Sequence, residues 1–265
     1  MGERTVRIAC WQSNGAENVD AGLDALDRVA ERAAAQGAQL LVTPEMSLTG
    51  YQIGRSRLLR SAEPADGPMC RAVAEIAQRR GIAVVFGWPE AVGDAVYNSV
   101  QLVDSNGAAL ATYRKTHLYG AADKAFTPGE RGVVQAELNG LTVGLLICYD
   151  VEFPEAVRAH ALAGTQLLVV PTALMRPWEI VAELLVRARA FESQLFIAYT
   201  NRIGGEGTLR YCGLSRVVAP DGQVLVDAGD QEELLVADVD PTVLAKARAE
   251  TTYLTDRRPE LFSGR

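Results

Sequence analysis

Residues 6–11 and 39–43 are two short apolar runs, separated by a segment opening at Asn18 in which Val19, Leu23, Leu26, Ala30 and Ala33 recur at helical spacing until Gly37. A strand, a helix and a strand in that order make a parallel crossover, and that unit commits the chain to an α/β architecture. Loops at the C-terminal ends of such strands commonly carry chemistry. Glu45 sits at one of them. Residues 68–80 repeat the pattern as a helix that starts on Pro68 and stops at Gly81, followed by a strand over residues 82–88.

Hairpins come next. Residues 97–103 and 108–113 flank the turn sequence Asp104-Ser105-Asn106-Gly107, and residues 133–138 and 141–147 are joined by Asn139-Gly140, a dipeptide suited to positive φ at both turn positions. Residues 155–163 read as a helix and 166–170 as a strand. Ile180, Val181, Leu184, Leu185, Ala188 and Phe191 mark a longer amphipathic helix. Strands are expected over residues 195–200 and near 211–219, 223–228 and 234–239, before a closing helix over about 241–249. Roughly ten strands and five helices, mixing crossovers with hairpins, suit two mixed sheets packed face to face with helices outside; an open single sheet is the competing layout. No linker or low-complexity stretch interrupts the chain, so a single domain over residues 1–265 is expected.

Composition narrows the function. Thirty-three acidic against 26 basic side chains give a net charge of -7, with no block of Lys or Arg, which disfavours nucleic-acid binding. Apolar runs stay far below the roughly 20 residues of a membrane-spanning helix, and residues 1–12 show no secretory leader. No membrane partner is expected. Cys10, Cys70, Cys148 and Cys212 are scattered, suggesting neither a disulfide framework nor a zinc ribbon, and a reducing cytoplasm fits. With only His117 and His160 present, a histidine-based metal site is not expected. Neither a Gly-x-Ser-x-Gly elbow nor a phosphate-binding Gly-rich loop occurs.

Three strand ends carry reactive groups. Glu45 follows residues 39–43, Lys115 follows a strand ending at Tyr113, and Cys148 ends the run over residues 141–147, just before Phe153 and Pro154 lead into a helix. Backbone N–H groups near that helix start would favour a thiolate. Singly, each residue has an ordinary reading: a solvated loop acid, a basic cover for a strand end, an inert core thiol. Together they are a carboxylate, an ammonium and a thiol, the parts needed for acyl transfer without histidine.

At these residues the sequence resembles the nitrilase, or carbon-nitrogen hydrolase, superfamily. The resemblance is carried by Leu41-Val42-Thr43-Pro44-Glu45, by Tyr113-Arg114-Lys115-Thr116-His117-Leu118, and by Leu146-Ile147-Cys148-Tyr149-Asp150-Val151-Glu152-Phe153-Pro154-Glu155. Further similarity at Pro171-Thr172-Ala173, Tyr211-Cys212-Gly213-Leu214-Ser215 and Asp256-Arg257-Arg258-Pro259-Glu260-Leu261 extends it over nearly the whole chain. The resemblance implies a four-layer α-β-β-α sandwich, a homodimer or larger homo-oligomer, no cofactor, and a catalytic triad of Glu45, Lys115 and Cys148. It further implies an oxyanion held by Lys115 and the backbone N–H of Tyr149. Tyr149-Asp150 after the cysteine is similar to the amidase branches, whereas nitrile-cleaving members usually carry Trp-Glu there. Gly50-Tyr51-Gln52-Ile53-Gly54 and Val186-Arg187-Ala188-Arg189-Ala190 resemble bacterial amidases acting on ω-amino amides.

The expected reaction is therefore cleavage of a small ω-amino or ω-guanidino alkanamide to acid and ammonia through a thioester. A nitrilase or N-carbamoyl hydrolase on the same triad, and a catalytically weakened ligand-binding homologue, are the rivals. The last arises because many members carry a second glutamate before the Pro-Gly matched by Pro128-Gly129; here Ala122 stands at that place and Asp123 beside it is the candidate substitute. For a cationic tail, Tyr51, Trp178 and Glu179 are the candidate contacts, each with an ordinary packing or helix-start role as the alternative. Cys148→Ala is expected to abolish turnover with the fold retained, while Cys10→Ala, Cys70→Ala and Cys212→Ala keep the chemistry; ammonia release and circular dichroism check both halves.

Overall fold

The computed structural model describes residues 5–121 and 123–261, so Ala122 lies outside the described residues. In chain order the strands are β1 (Val6–Asn14), β2 (Leu40–Val42), β3 (Ala83–Val92), β4 (Ala95–Val103), β5 (Ala109–Arg114), β6 (Gln135–Leu138), β7 (Leu141–Leu145), β8 (Leu167–Pro171), β9 (Phe196–Thr200), β10 (Arg202–Ile203), β11 (Gly205–Glu206), β12 (Leu209–Arg210), β13 (Arg216–Val218), β14 (Val224–Asp227) and β15 (Glu233–Val239). The helices are α1 (Val19–Ala35), α2 (Arg55–Ser61), α3 (Pro68–Arg80), α4 (Pro154–Leu162), α5 (Val186–Ser193) and α6 (Pro241–Glu250).

Two mixed sheets result. One runs β10-β1-β2-β3-β4-β5 with β15 also paired to β1; the other runs β14-β13-β9-β8-β7-β6. The expected crossover is present: β2 lies parallel to both β1 and β3, and α1 starts where the Asn18 side chain accepts from the Ala21 N–H. Asn139 (φ 53°) and Gly140 (φ 85°) turn β6 back on β7.

Alternation along the strands builds the layers. Ile8, Cys10, Leu40, Val42 and Val85 join Val143, Leu145 and Val169 in a core between the sheets, while Ala9, Trp11, Leu41, Val84 and Phe86 turn the other way onto Leu26, Ala30, Val73 and Ile76 of α1 and α3. Helices α4 and α5 cover the second sheet through Val157, Ala161, Val186 and Ala190. The four layers are helix, sheet, sheet, helix. Among the described residues no helix is long and apolar enough to cross a membrane.

Several expectations need correction. The described residues form fifteen strands and six α-helices rather than about ten and five. Helix α2 stands where no helix is expected, and the strand expected near residues 211–219 is confined to β13. The helix read over residues 180–191 is α-helical only in α5; Val181–Leu185 forms π-type turns, with the Val186 N–H reaching back to the Val181 carbonyl. Strand β3 runs beyond Trp88 to Val92, because residues 88–92 continue to pair with β4 through Ser99, Asn98, Tyr97, Val96 and Ala95.

One close approach fixes the end of β5. The Gly129 N–H donates to the Lys115 carbonyl at 2.8 Å, and a Cβ on Gly129 would lie 2.2 Å from the Arg114 carbonyl oxygen. Backbone cannot yield as a side-chain tip can. Gly129→Ala is expected to cost about 1–3 kcal/mol and lower Tm, whereas Gly132→Ala, which meets nothing within 4 Å, leaves thermal unfolding nearly unchanged.

Candidate active site

Glu45 follows β2 on a loop anchored at several points. Its N–H donates to the Thr172 carbonyl, the Thr43 hydroxyl donates to the Val85 carbonyl, and the buried Arg202 guanidinium donates to the Glu45 and Met46 carbonyls. Lys115 follows β5, its N–H held by the Asn98 carbonyl at 2.8 Å. Asp123 opens a short 3₁₀ turn. The three side chains meet with no solvent exposure: Lys115 Nζ donates to Glu45 Oε1 at 2.9 Å and to Asp123 Oδ2 at 2.6 Å. Asn98 Nδ2 adds a 2.6 Å bond to Glu45 Oε1. Glu45 Oε2 is buried and has no hydrogen-bond partner among the described residues.

Asp123 is tied down on its other side. Its Oδ1 accepts from the Tyr51 hydroxyl at 2.8 Å and its Oδ2 from the Tyr119 N–H at 2.9 Å. The shorter acid thus reaches Lys115 directly.

Cys148 begins a 3₁₀ turn over Cys148–Glu152 in the left-handed region, φ 46°, an uncommon conformation for a residue with a side chain. Its sulfur borders a cavity of about 190 Å³ lined by Tyr149 and Glu152 of the same turn, by Tyr51 and Tyr119, and by Leu174, Met175 and Trp178. Cys148 makes no hydrogen bond to Glu45 or Lys115; it senses both through their charges. Burial first, then the Glu45 charge, pushes the thiol well above its ordinary range, against the opposing pull of Lys115 and the Ala173 N–H. This corrects the expectation of a ready thiolate: desolvation outweighs the backbone dipoles, and the resting sulfur holds its proton.

Lys115 shifts upward. Burial works against its charge, but Glu45 and the other anionic neighbours outweigh that cost and keep it an ammonium. Glu45 is raised above 4.5, mainly by burial and further by Asp123, with Lys115 and Asn98 opposing. One ammonium between two carboxylates leaves one negative charge in excess, and that fits an upward shift.

Sequence reasoning missed Asn98, the supports Asp150 and Glu206, and the lining residues Tyr119, Glu152, Leu174 and Met175. Asp150, fully buried, accepts from the Tyr113 hydroxyl, the Thr116 hydroxyl, the His117 N–H and the Ile147 N–H, joining the Lys115 segment to the cysteine turn. Glu206 accepts from the Tyr51 and Gln52 N–H groups, from Arg202 and from the Tyr211 hydroxyl, holding the loop that carries Tyr51. Glu152 lines the cavity. Of the candidate tail contacts, Tyr51 lines it with its hydroxyl already given to Asp123, and Trp178 lines it while 48% exposed. Glu179 does not; Arg176 takes its carboxylate at 2.6 Å. No group of three or more His, Cys, Asp or Glu side chains among the described residues is placed to hold a metal ion.

A fold of this layering with an acid, a lysine and a cysteine at its strand ends has close relatives. The sequence pattern of the carbon-nitrogen hydrolase family matches residues 7–249, and the chain belongs to that family. It is an enzyme of the nitrilase superfamily, of the amidase class that acts on carbon-nitrogen bonds other than peptide bonds. It is 46% identical to the "Hydrolase in pqqF 5'region" of Pseudomonas protegens, over 98% of this chain and 92% of that protein. With an (R)-stereoselective amidase of a Pseudomonas species it shares 38% identity, over 96% and 90%. The crystal structure of an amidase from Nesterenkonia sp. matches with a TM-score of 0.84 at 38% identity, covering 99% of this chain and 96% of that one. In a variant of the Nesterenkonia sp. AN1 amidase (TM-score 0.83, 38% identity, 97% and 95% covered), the acetamide moiety of fluoroacetamide is covalently added at the active site cysteine.

A reaction that draws on ionised Glu45 fades as pH falls through its raised pKa, so the acid limb of kcat/KM is expected above pH 4.5. Asn98 donates to the ionised form. Asn98→Leu should therefore move that limb to higher pH, which a pH–rate profile reads directly.

Proposed function

We propose that the protein hydrolyses a small aliphatic amide to a carboxylic acid and ammonia, with Cys148 as nucleophile, Glu45 as general base and acid, and Lys115 as electrostatic stabiliser. The observation that carries this reading is the division of labour on Glu45: Oε1 is occupied by Lys115 and Asn98, while Oε2 is buried and free to take a proton. Leaving a buried carboxylate oxygen without a donor is costly, and a proton-accepting role accounts for it.

In the proposed cycle Glu45 Oε2 takes the Cys148 proton as the sulfur bonds to the amide carbon. The negative charge passes to the substrate oxygen, stabilised by Lys115 and the backbone N–H of Tyr149. That N–H precedes the first bond of the turn, from the Asp150 N–H to the Ile147 carbonyl, and has no acceptor within the turn. Glu45 then protonates the amide nitrogen, the carbon-nitrogen bond breaks and ammonia leaves. Water, deprotonated by Glu45, attacks the thioester; the carbon-sulfur bond breaks, and the proton returns to sulfur as the acid departs. Asp123 acts as the auxiliary acid that holds Lys115 on its second side.

The substrate is read as an ω-amino or ω-guanidino alkanamide. A cavity of about 190 Å³, roughly the liquid volume of six waters, supports a short chain, and the aromatic side chains of Tyr119, Tyr149 and Trp178 offer faces to a cation. Ammonia release measured over amides, nitriles and N-carbamoyl compounds is expected to be fastest with short amides, accompanied by an acyl mass shift on Cys148. Turnover of nitriles alone, or no turnover and ligand binding only, would sink the reading. Lys115→Met is expected to lower kcat by about 10²-fold or more, the scale of losing one oxyanion donor.

A further inference from the structure

Resting on the amidase reading, we propose that Glu152 selects the substrate by receiving a cationic group, an ammonium or guanidinium, at the end of the amide chain remote from the scissile bond. Among the described residues it is the only charged side chain that lines the cavity at Cys148. The two residues stand at opposite ends of one short turn, Cys148–Glu152, so the nucleophile and the carboxylate address one bound molecule from a single rigid piece of backbone.

The Glu152 carboxylate accepts no hydrogen bond among the described residues. Arg189, whose charge reaches it, is committed elsewhere: its Nε donates to the Val151 carbonyl at 3.2 Å, its Nη2 to the Glu152 carbonyl at 2.7 Å and its Nη1 to Glu192 at 3.0 Å. Burial holds the free carboxyl above its ordinary range, with Lys115 and Arg189 pulling the other way. A half-buried carboxylate without a donor is an unmet demand that a bound cation would fill. Beside it, Tyr149 meets Tyr119 edge-on at 5.2 Å between ring centres, and Trp178 completes an aromatic surround suited to an alkylammonium. Glu179, the acid expected from sequence, cannot serve while Arg176 holds it.

The test compares kcat/KM for 5-aminopentanamide and pentanamide, which differ only in the terminal cation. The unaltered enzyme is expected to favour the cation by about 10-fold or more, the worth of one charge-assisted hydrogen bond. Glu152→Gln should collapse that ratio toward one. An unaltered enzyme without the preference, or a variant that keeps the ratio, overturns the proposal. If the variant does not fold, pentylammonium and 1-pentanol are compared as inhibitors of the unaltered enzyme on pentanamide, and equal inhibition overturns it. If no amide is cleaved, the amidase reading fails by itself, and calorimetric titration of pentylammonium against 1-pentanol still decides whether the cavity takes a cation.

Discussion

One ammonium, that of Lys115, stands between Glu45 and Asp123 with none of the three exposed to water. A charge taken out of solvent is costly, and removing one partner of a buried pair typically loses about 3–5 kcal/mol. The fold must therefore deliver all three groups together. Glu45 comes from the end of β2, Lys115 from the end of β5, and Asp123 from a turn eight residues on. Strand β4 links the first two: its Asn98 binds the Lys115 N–H through its carbonyl and Glu45 through its side chain. The register of β4 thus sets the distance between the Glu45 carboxylate and the Lys115 ammonium.

Two further carboxylates secure the frame without facing the cavity. Asp150 gathers donors from Tyr113, Thr116, His117 and Ile147, so it ties the cysteine turn to the lysine segment. The Asp150 hydrogen bond also lifts the His117 pKa, and His117 stacks on Phe153 at 3.8 Å between ring centres. Glu206 does similar service for the loop of Tyr51, whose hydroxyl then fixes Asp123. Each support places a side chain that in turn places another, which holds the buried polar cluster in one arrangement while Glu45 Oε2 and Asn98 Oδ1 stay without partners among the described residues.

The sequence made much of this legible because strand exits are marked by composition. Glu45, Lys115 and Cys148 each follow a strand-like run, and turn sequences such as Asn139-Gly140 marked where the strands reverse. What stayed hidden depends on backbone irregularity. Strands of two residues, such as Arg202–Ile203 and Leu209–Arg210, are too short to show a period. Glu152 lay inside the signature segment, but it lines the cavity from the end of a 3₁₀ turn that opens with a positive φ at Cys148, which neighbouring residue types do not announce. Glu179 misled for a simpler reason: Arg176, three residues earlier, was a visible competitor for its charge.

The protonated resting thiol gives the cluster its chemical logic. Ionised Glu45 and Asp123 against one Lys115 ammonium leave a single negative charge buried, and a free thiolate would add a second in the same low-dielectric space. In the proposed cycle, proton transfer from Cys148 to Glu45 in step with carbon-sulfur bond formation would avoid that: the acid would become neutral as the charge moves to the substrate oxygen, toward Lys115. The buried charge is then the same before and after each step. A site built this way spends little on solvent reorganisation, since every proton it needs travels between groups already held in place. Under the proposed cycle, the burial that holds the Cys148 thiol above its ordinary range would thus couple its activation to the presence of a substrate carbonyl.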